Sequence, residues 1–259
     1  MRVRVLRLVD RTRLARFQDG TSGPRVLVTY VRYPSCGRAP FPLVVFAHGF
    51  ALTPGTYARL LDAWARAGYV VAAPAFPVEN ADARGGPDRA DLPNEPGDIS
   101  FVVSRLAAAA GPLRGLVDAS EVAVAGHSDG GIAALEAAYD ARYRDPRIDA
   151  AVVMSGASLP GFTRAAPGSP PLLAVQGTRD PFNSAGTTAA YFALMHRPKF
   201  LLWLLGAGHR PPYTTDLRYE RVVARAATAF LDRYLKGRPL RRLLVAGTVP
   251  GVTRLTADP

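Results

Sequence analysis

Ser128 stands between glycines in the string Gly126-His127-Ser128-Asp129-Gly130-Gly131, directly after the small apolar run Val122-Ala123-Val124-Ala125. A serine hydroxyl is a weak nucleophile until a neighbouring base takes its proton, and the base is usually a histidine oriented by a carboxylate. The chain has four histidines. His48 and His127 sit inside turn strings, and His196 follows a helix-like stretch beside Arg197 and Pro198, where a surface position is expected. His209 remains; it follows the apolar run Phe200–Leu205 through Gly206-Ala207-Gly208, a loop able to swing an imidazole over a sheet edge. For the carboxylate, Asp180 ends the segment Pro171-Leu172-Leu173-Ala174-Val175-Gln176-Gly177-Thr178-Arg179-Asp180, again just after an apolar run. Asp216 reads instead as a helix N-cap and Asp149 as the entrance of a strand, so both have structural work of their own. Such a serine, histidine and carboxylate together would perform nucleophilic displacement with proton transfer.

An anion developing during such a displacement needs amide donors aimed at it. One is expected from the residue after the serine, Asp129, and the other from the turn His48-Gly49-Phe50, with Phe50 N–H as the donor. His48-Gly49 also reads as a plain tight turn with a packed imidazole, and both readings are compatible.

The elements that must position these groups alternate along the chain. Strands are expected at Val26–Val31, Leu43–Ala47, Tyr69–Ala73, Glu121–Ala125, Ile148–Met154, Leu172–Gln176 and Phe200–Leu205, with an alternating edge strand in the opening Met1–Asp10. Helices are expected at Tyr57–Ala67 (stopped by Gly68), Ile99–Ala110, Gly130–Arg142, Ala185–Met195 and about Asp216–Leu235. Strands separated by helices imply parallel βαβ units, and in an open parallel sheet the ligand site lies beyond the carboxyl ends of the strands. A serine at a strand-to-helix junction within Gly-x-Ser-x-Gly is then a nucleophile elbow, in which the flanking glycines leave room for the tight turn. In that architecture the triad runs in the order serine, acid, histidine, as Ser128, Asp180 and His209 do.

These residues resemble the α/β-hydrolase superfamily. Within it they are similar to lid-less serine esterases: bacterial cutinase-like polyester hydrolases, the platelet-activating-factor acetylhydrolase group and serine relatives of dienelactone hydrolase. The matching strings are FPLVVFAHGF, GYVVAAPAFP, NEPGDISFVVSRL, VAVAGHSDGGIAAL, LLAVQGTRDPF and GAGHR, spread from about Arg25 to Leu235. The resemblance implies a mostly parallel central sheet of about eight strands with helices on both faces and no large cap, in one domain over residues 1–259. It implies Ser128, Asp180 and His209 as the triad, Phe50 and Asp129 as oxyanion donors, and Phe182 bordering the substrate cleft. It also implies a carboxylic-ester hydrolase working through an acyl-enzyme on small, medium or polymeric esters. Acyl transfer, perhydrolysis and thioester hydrolysis share the same triad, and a catalytically silent binding protein shares the same scaffold. The chain departs from the polyester hydrolases in carrying Asp129 where they have Met, Gly156-Ala157 where they present Trp, and no carboxyl-terminal disulfide. Between Ser155 and Pro170, where relatives insert a lid, the sequence is rich in Gly, Pro, Ser and Ala with no helical period, so an open cleft is expected, with Pro77–Gly97 as one wall.

Composition bounds the remainder. Hydrophobic residues make up 48% and charged residues 20%, ordinary for a soluble globular chain with a sizeable core. No apolar run approaches the roughly 18 residues of a membrane span. The net charge is +11, but the arginines are scattered, with no aromatic residues interleaved to stack bases, so no nucleic-acid or membrane partner is expected. The single cysteine, Cys36, excludes an internal disulfide and a cysteine zinc cluster. No cofactor or metal is implied. As it stands the chain reads as cytoplasmic, and as secreted if an export signal preceded it.

Overall fold

The structure, a computed structural model, describes residues 1–108 and 111–259. The apolar runs become strands whose side chains are buried on both faces: β3 (Phe41–Ala47), β4 (Val70–Ala75), β5 (Val117–His127), β6 (Ala150–Met154), β7 (Leu172–Gly177) and β8 (Lys199–Leu204). Burial on both faces is what continuous Val, Leu and Ala runs permit and what alternating sequences do not. Upstream lie β1 (Arg2–Arg16) and β2 (Ser22–Tyr33), a long antiparallel pair, and downstream β9 (Thr253–Asp258). All nine strands form one sheet in the order β1-β2-β4-β3-β5-β6-β7-β8-β9, with β3 to β8 parallel and β1, β2 and β9 joined antiparallel at the edges. The sheet therefore has one strand more than the expected eight; the addition is β9, in the tail.

Helices cover both faces. On one side α2 (Glu95–Ala107), α3 (Asp129–Tyr139) and α4 (Ala185–Ala193) pack Ile99, Val102, Leu135 and Tyr191 over Val124, Val153 and Ala174. On the other, α1 (Ala58–Arg66) and α6 (Leu217–Lys236) pack Trp64, Leu61, Val223 and Phe230 over Phe46, Val152 and Leu202. The short α5 (Pro211–Thr214) follows β8, and α7 (Arg241–Gly247) leads into β9. The helix expected at Ile99–Ala110 begins earlier, at Glu95, because Asn94 and Pro96 open it within the polar excursion; Ala109 and Ala110 lie outside the described residues. Among the described residues no helix is long and apolar enough to cross a membrane.

Chain order and spatial order diverge at the centre of the sheet. From β3 the chain steps to β4 on one side and then returns to β5 on the other, so β3 and β5 are neighbours that lead outward in opposite directions. Their crossovers leave a crevice at the carboxyl ends of β3 and β5, where ligands settle in such sheets.

Candidate active site

Ser128 opens that crevice. It follows β5 without a spacer and serves as the N-cap position of α3 at φ 56° and ψ −122°, a strained conformation for a residue with a Cβ. Ala51, beyond β3, and Ser155, directly after β6, are the other non-glycine residues with positive φ among those described, so backbone strain collects along one rim. The elbow closes only with glycine on either side. A Cβ on Gly126 would drive into the Gly130 carbonyl oxygen, and one on Gly130 into the Ala47 carbonyl oxygen.

The structure brings the three sequence-chosen side chains together from three separate strand ends. His209 Nε2 lies 2.9 Å from Ser128 Oγ, and His209 Nδ1 lies 2.7 Å from Asp180 Oδ2. An ionised carboxylate only accepts, so Nδ1–H donates to Asp180 and Nε2 is left to accept the Ser128 hydroxyl proton. Asp180 is well prepared for this. Burial alone would raise its pKa, but the His209 bond and the backbone N–H groups of Phe182 and Asn183, at 2.9 and 3.0 Å, outweigh it and bring the pKa down to about 2. Gln176 Nε2 adds a longer bond to Asp180 Oδ2 at 3.2 Å, and Thr188 Oγ1 holds the far end of Gln176 at 2.7 Å.

The rejected carboxylates have the structural jobs expected of them. Asp216 Oδ1 accepts the Arg218 N–H at the start of α6, and Asp149 Oδ2 accepts the Val122 N–H at 2.9 Å. His196 is exposed, as its context suggested, and its Nε2 reaches only the Ala165 carbonyl.

The other two histidines form a floor beneath the site. His48 is fully buried, with Nδ1–H donating to the Gly49 carbonyl at 2.9 Å and Nε2 accepting from Phe76 N–H at 3.0 Å. His127 accepts from the Tyr57 hydroxyl at Nδ1 (2.8 Å) and donates from Nε2 to the His209 carbonyl at 3.1 Å. Tyr57 in turn accepts the Gly49 N–H at 3.2 Å. A single chain of bonds thus joins the turn before Phe50, the residue before Ser128 and the backbone of His209. Both imidazoles are neutral. Burial depresses His48 to about 4, and burial, with His209 and Arg210 close by, depresses His127 to about 3.

Phe50 and Asp129 line the cleft beside Ser128, and among the described residues neither backbone N–H has a protein acceptor. The Asp129 side chain is engaged elsewhere than at Ser128: it is 3% exposed and pairs in two-pronged fashion with Arg89, Nε to Oδ2 at 2.6 Å and Nη2 to Oδ1 at 2.8 Å. Sequence reasoning missed Arg89 because nothing in its neighbourhood marks it; only the fold carries it to Asp129. It stands in the Pro77–Gly97 excursion, which does form part of the cleft wall. Phe182 is 79% exposed, lines the same cleft and leans its ring against His209, tilted by 52° with ring centres 5.2 Å apart.

The cleft measures about 920 Å³ and carries an apolar strip of Phe50, Leu52, Pro181, Phe182 and Pro211. No helix forms between Ser155 and Pro171, so nothing covers it from that side. Such a constellation can attack an electrophilic carbonyl, hold the resulting oxyanion with two amides and exchange a proton through one imidazole.

Comparison with known proteins agrees with the architecture. The family model described as chlorophyllase matches residues 17–178, which contain the crevice strands, the elbow and the β7 edge. Among solved structures, a ferulic acid esterase from Streptomyces cinnamoneus superimposes with a TM-score of 0.70 over 92% of this chain and 90% of that one, at 24% sequence identity. In all, 1086 solved chains match, a fold shared too widely to carry a substrate with it. No curated protein matches the sequence.

Proposed function

Since this chain belongs to the chlorophyllase family, whose fold is that of α/β-hydrolase esterases, we propose that it is a serine carboxylic-ester hydrolase of one domain, residues 1–259. The observation that carries the reading is the unbroken line from Ser128 Oγ through His209 to Asp180, at 2.9 and 2.7 Å. His209 Nε2 takes the Ser128 proton as Oγ bonds to the ester carbonyl carbon, and the carbonyl electron pair moves onto oxygen. The Phe50 and Asp129 amides receive that oxyanion, and Asp180 stabilises the imidazolium. Collapse expels the alcohol, which takes the proton from His209, and leaves an acyl-enzyme. Water then repeats the sequence with His209 as base, releasing the acid and restoring Ser128.

The open cleft and its apolar strip suit small or medium esters with an aromatic or aliphatic portion, and a polymer segment could enter from the uncovered side. The neighbouring structure's name, a ferulic acid esterase, is consistent with an aromatic acyl group lying against Phe182. Ser128→Ala is expected to lower turnover of 4-nitrophenyl esters by about 10⁴-fold or more and to abolish labelling by a fluorophosphonate. Substantial turnover in that variant would remove Ser128 from the mechanism. Product analysis with added alcohol or thiol distinguishes hydrolysis from acyl transfer at the same site.

A further inference from the structure

The cleft around Ser128 is lined by three arginines, Arg89, Arg179 and Arg210, and by one acid, the buried Asp129. Asp129 occupies the fork of Arg89, so that pair is close to neutral. Asp180 is buried behind His209 and held by it. Arg179 and Arg210 remain: both are exposed, and among the described residues neither guanidinium has a carboxylate or carbonyl partner. They flank the triad directly, Arg179 preceding Asp180 and Arg210 following His209. They also rise from adjacent parallel strands, β7 and β8, whose following loops are tied together by Arg179 N–H donating to the Ala207 carbonyl at 2.9 Å. The result is two free guanidinium forks on one rim of a cleft that contains no free acid.

We infer that the ester taken by this site carries a second, ionised carboxylate, and that Arg179 and Arg210 bind it while Ser128 attacks the ester carbonyl. The inference rests on the hydrolase reading above and narrows its substrate class. Guanidinium groups present planar paired donors that match a carboxylate, and they keep their charge at every working pH. A cleft of one sign with apolar walls concentrates field lines, so the same charges also speed the encounter of an anionic ester. The apolar strip of Leu52, Phe50 and Phe182 accounts for the rest of the ligand: an apolar spacer between the scissile carbonyl and the charged end.

The test compares 4-nitrophenyl hexanoate with 4-nitrophenyl hydrogen adipate, which share an acyl length and a leaving group and differ in the terminal carboxylate. The wild-type protein is expected to favour the adipate half-ester in kcat/KM by about tenfold or more, chiefly through KM. In the Arg179→Gln/Arg210→Gln double variant that ratio should fall about tenfold. In the wild-type protein, raising salt from low to near-molar concentration should shrink the ratio as well, because exposed charges are screened. The salt series decides the matter if the double variant does not fold. A wild-type ratio at or below one, or a ratio that neither the double variant nor salt moves, overturns the inference and leaves ester hydrolysis standing. Failure to turn over either ester overturns the hydrolase reading itself.

Discussion

His48 and His127, beneath Ser128, have a partner at every ring nitrogen, whereas Glu79 and Glu95, buried in the wall that carries Arg89, have no donor at any carboxyl oxygen among the described residues. The imidazoles are neutral at little cost, because a neutral ring with one donor and one acceptor can be satisfied in place. The carboxyls are neutralised in another way. Burial raises Glu79 to about 8, and burial with the adjacent Glu79 raises Glu95 well above the ordinary carboxylate range. The floor is a finished network that fixes geometry, and the wall beside it holds two buried carboxyls whose charged forms burial disfavours. Where the wall does have a cation, the outcome changes: Arg25 is fully buried and bonds both Asp91 and Asp98 at 2.6–2.9 Å.

The largest effect expected from disturbing this contrast is in that ion cluster. Arg25→Met would leave the buried Asp91 without a cation and Asp98 with Arg13 alone, and should destabilise the protein by about 3–5 kcal/mol in a denaturant titration. A change under 1 kcal/mol would mean the acids are not ionised in the folded state. Next comes the floor. His127→Leu strands the Tyr57 hydroxyl and frees the His209 carbonyl, so kcat on a neutral ester should fall about 10–100-fold, with part of the loss recovered in His127→Gln. If the leucine variant kept its kcat, the floor would be packing alone.

Smaller, but diagnostic of sign, is the pH dependence of stability. His48 and His127 have folded pKa values of about 4 and 3 against an ordinary 6.5. As pH falls below 6.5 the unfolded chain gains protons that the folded one refuses, and stability drops towards pH 4. Glu79 works in the opposite direction: its folded value of about 8 lies above the ordinary 4.5, so its contribution is complete below pH 4.5 and is lost as pH rises through 8. Melting temperature should therefore peak between about pH 4.5 and 6.5, where the two slopes cross. The smallest expected change is in Glu95→Gln, which removes one of the two buried carboxyls and should flatten the alkaline slope while leaving the acid one. An unchanged alkaline slope would place its origin elsewhere.

Much of the site was legible because its chemistry is tied to strand ends. Ser128, Asp180 and His209 each follow an apolar run, and the nucleophile elbow is a local pattern dictated by steric room at Gly126 and Gly130. Arg89 was not legible: its meeting with Asp129 depends on how the excursion folds back across a sequence separation of 40. Tyr57 was hidden differently, since it sits where an apolar helix face begins and its hydroxyl matters only once His127 is beneath it. The tail strand β9 has the sequence TRLTAD, too polar to register as a strand until β8 offers an edge to pair with. What escapes in each case is a tertiary partner, not a local preference.

The backbone twist at Ser128 has a further consequence for how this molecule can change. Holding a side chain at φ 56° costs the fold about 1–3 kcal/mol, a burden that glycine would shed. Ser128→Gly should thus melt higher than the parent while doing nothing. Any screen that rewards heat resistance without asking for turnover would drift toward an inert protein, so improvement of this scaffold has to be scored on work done and survival together.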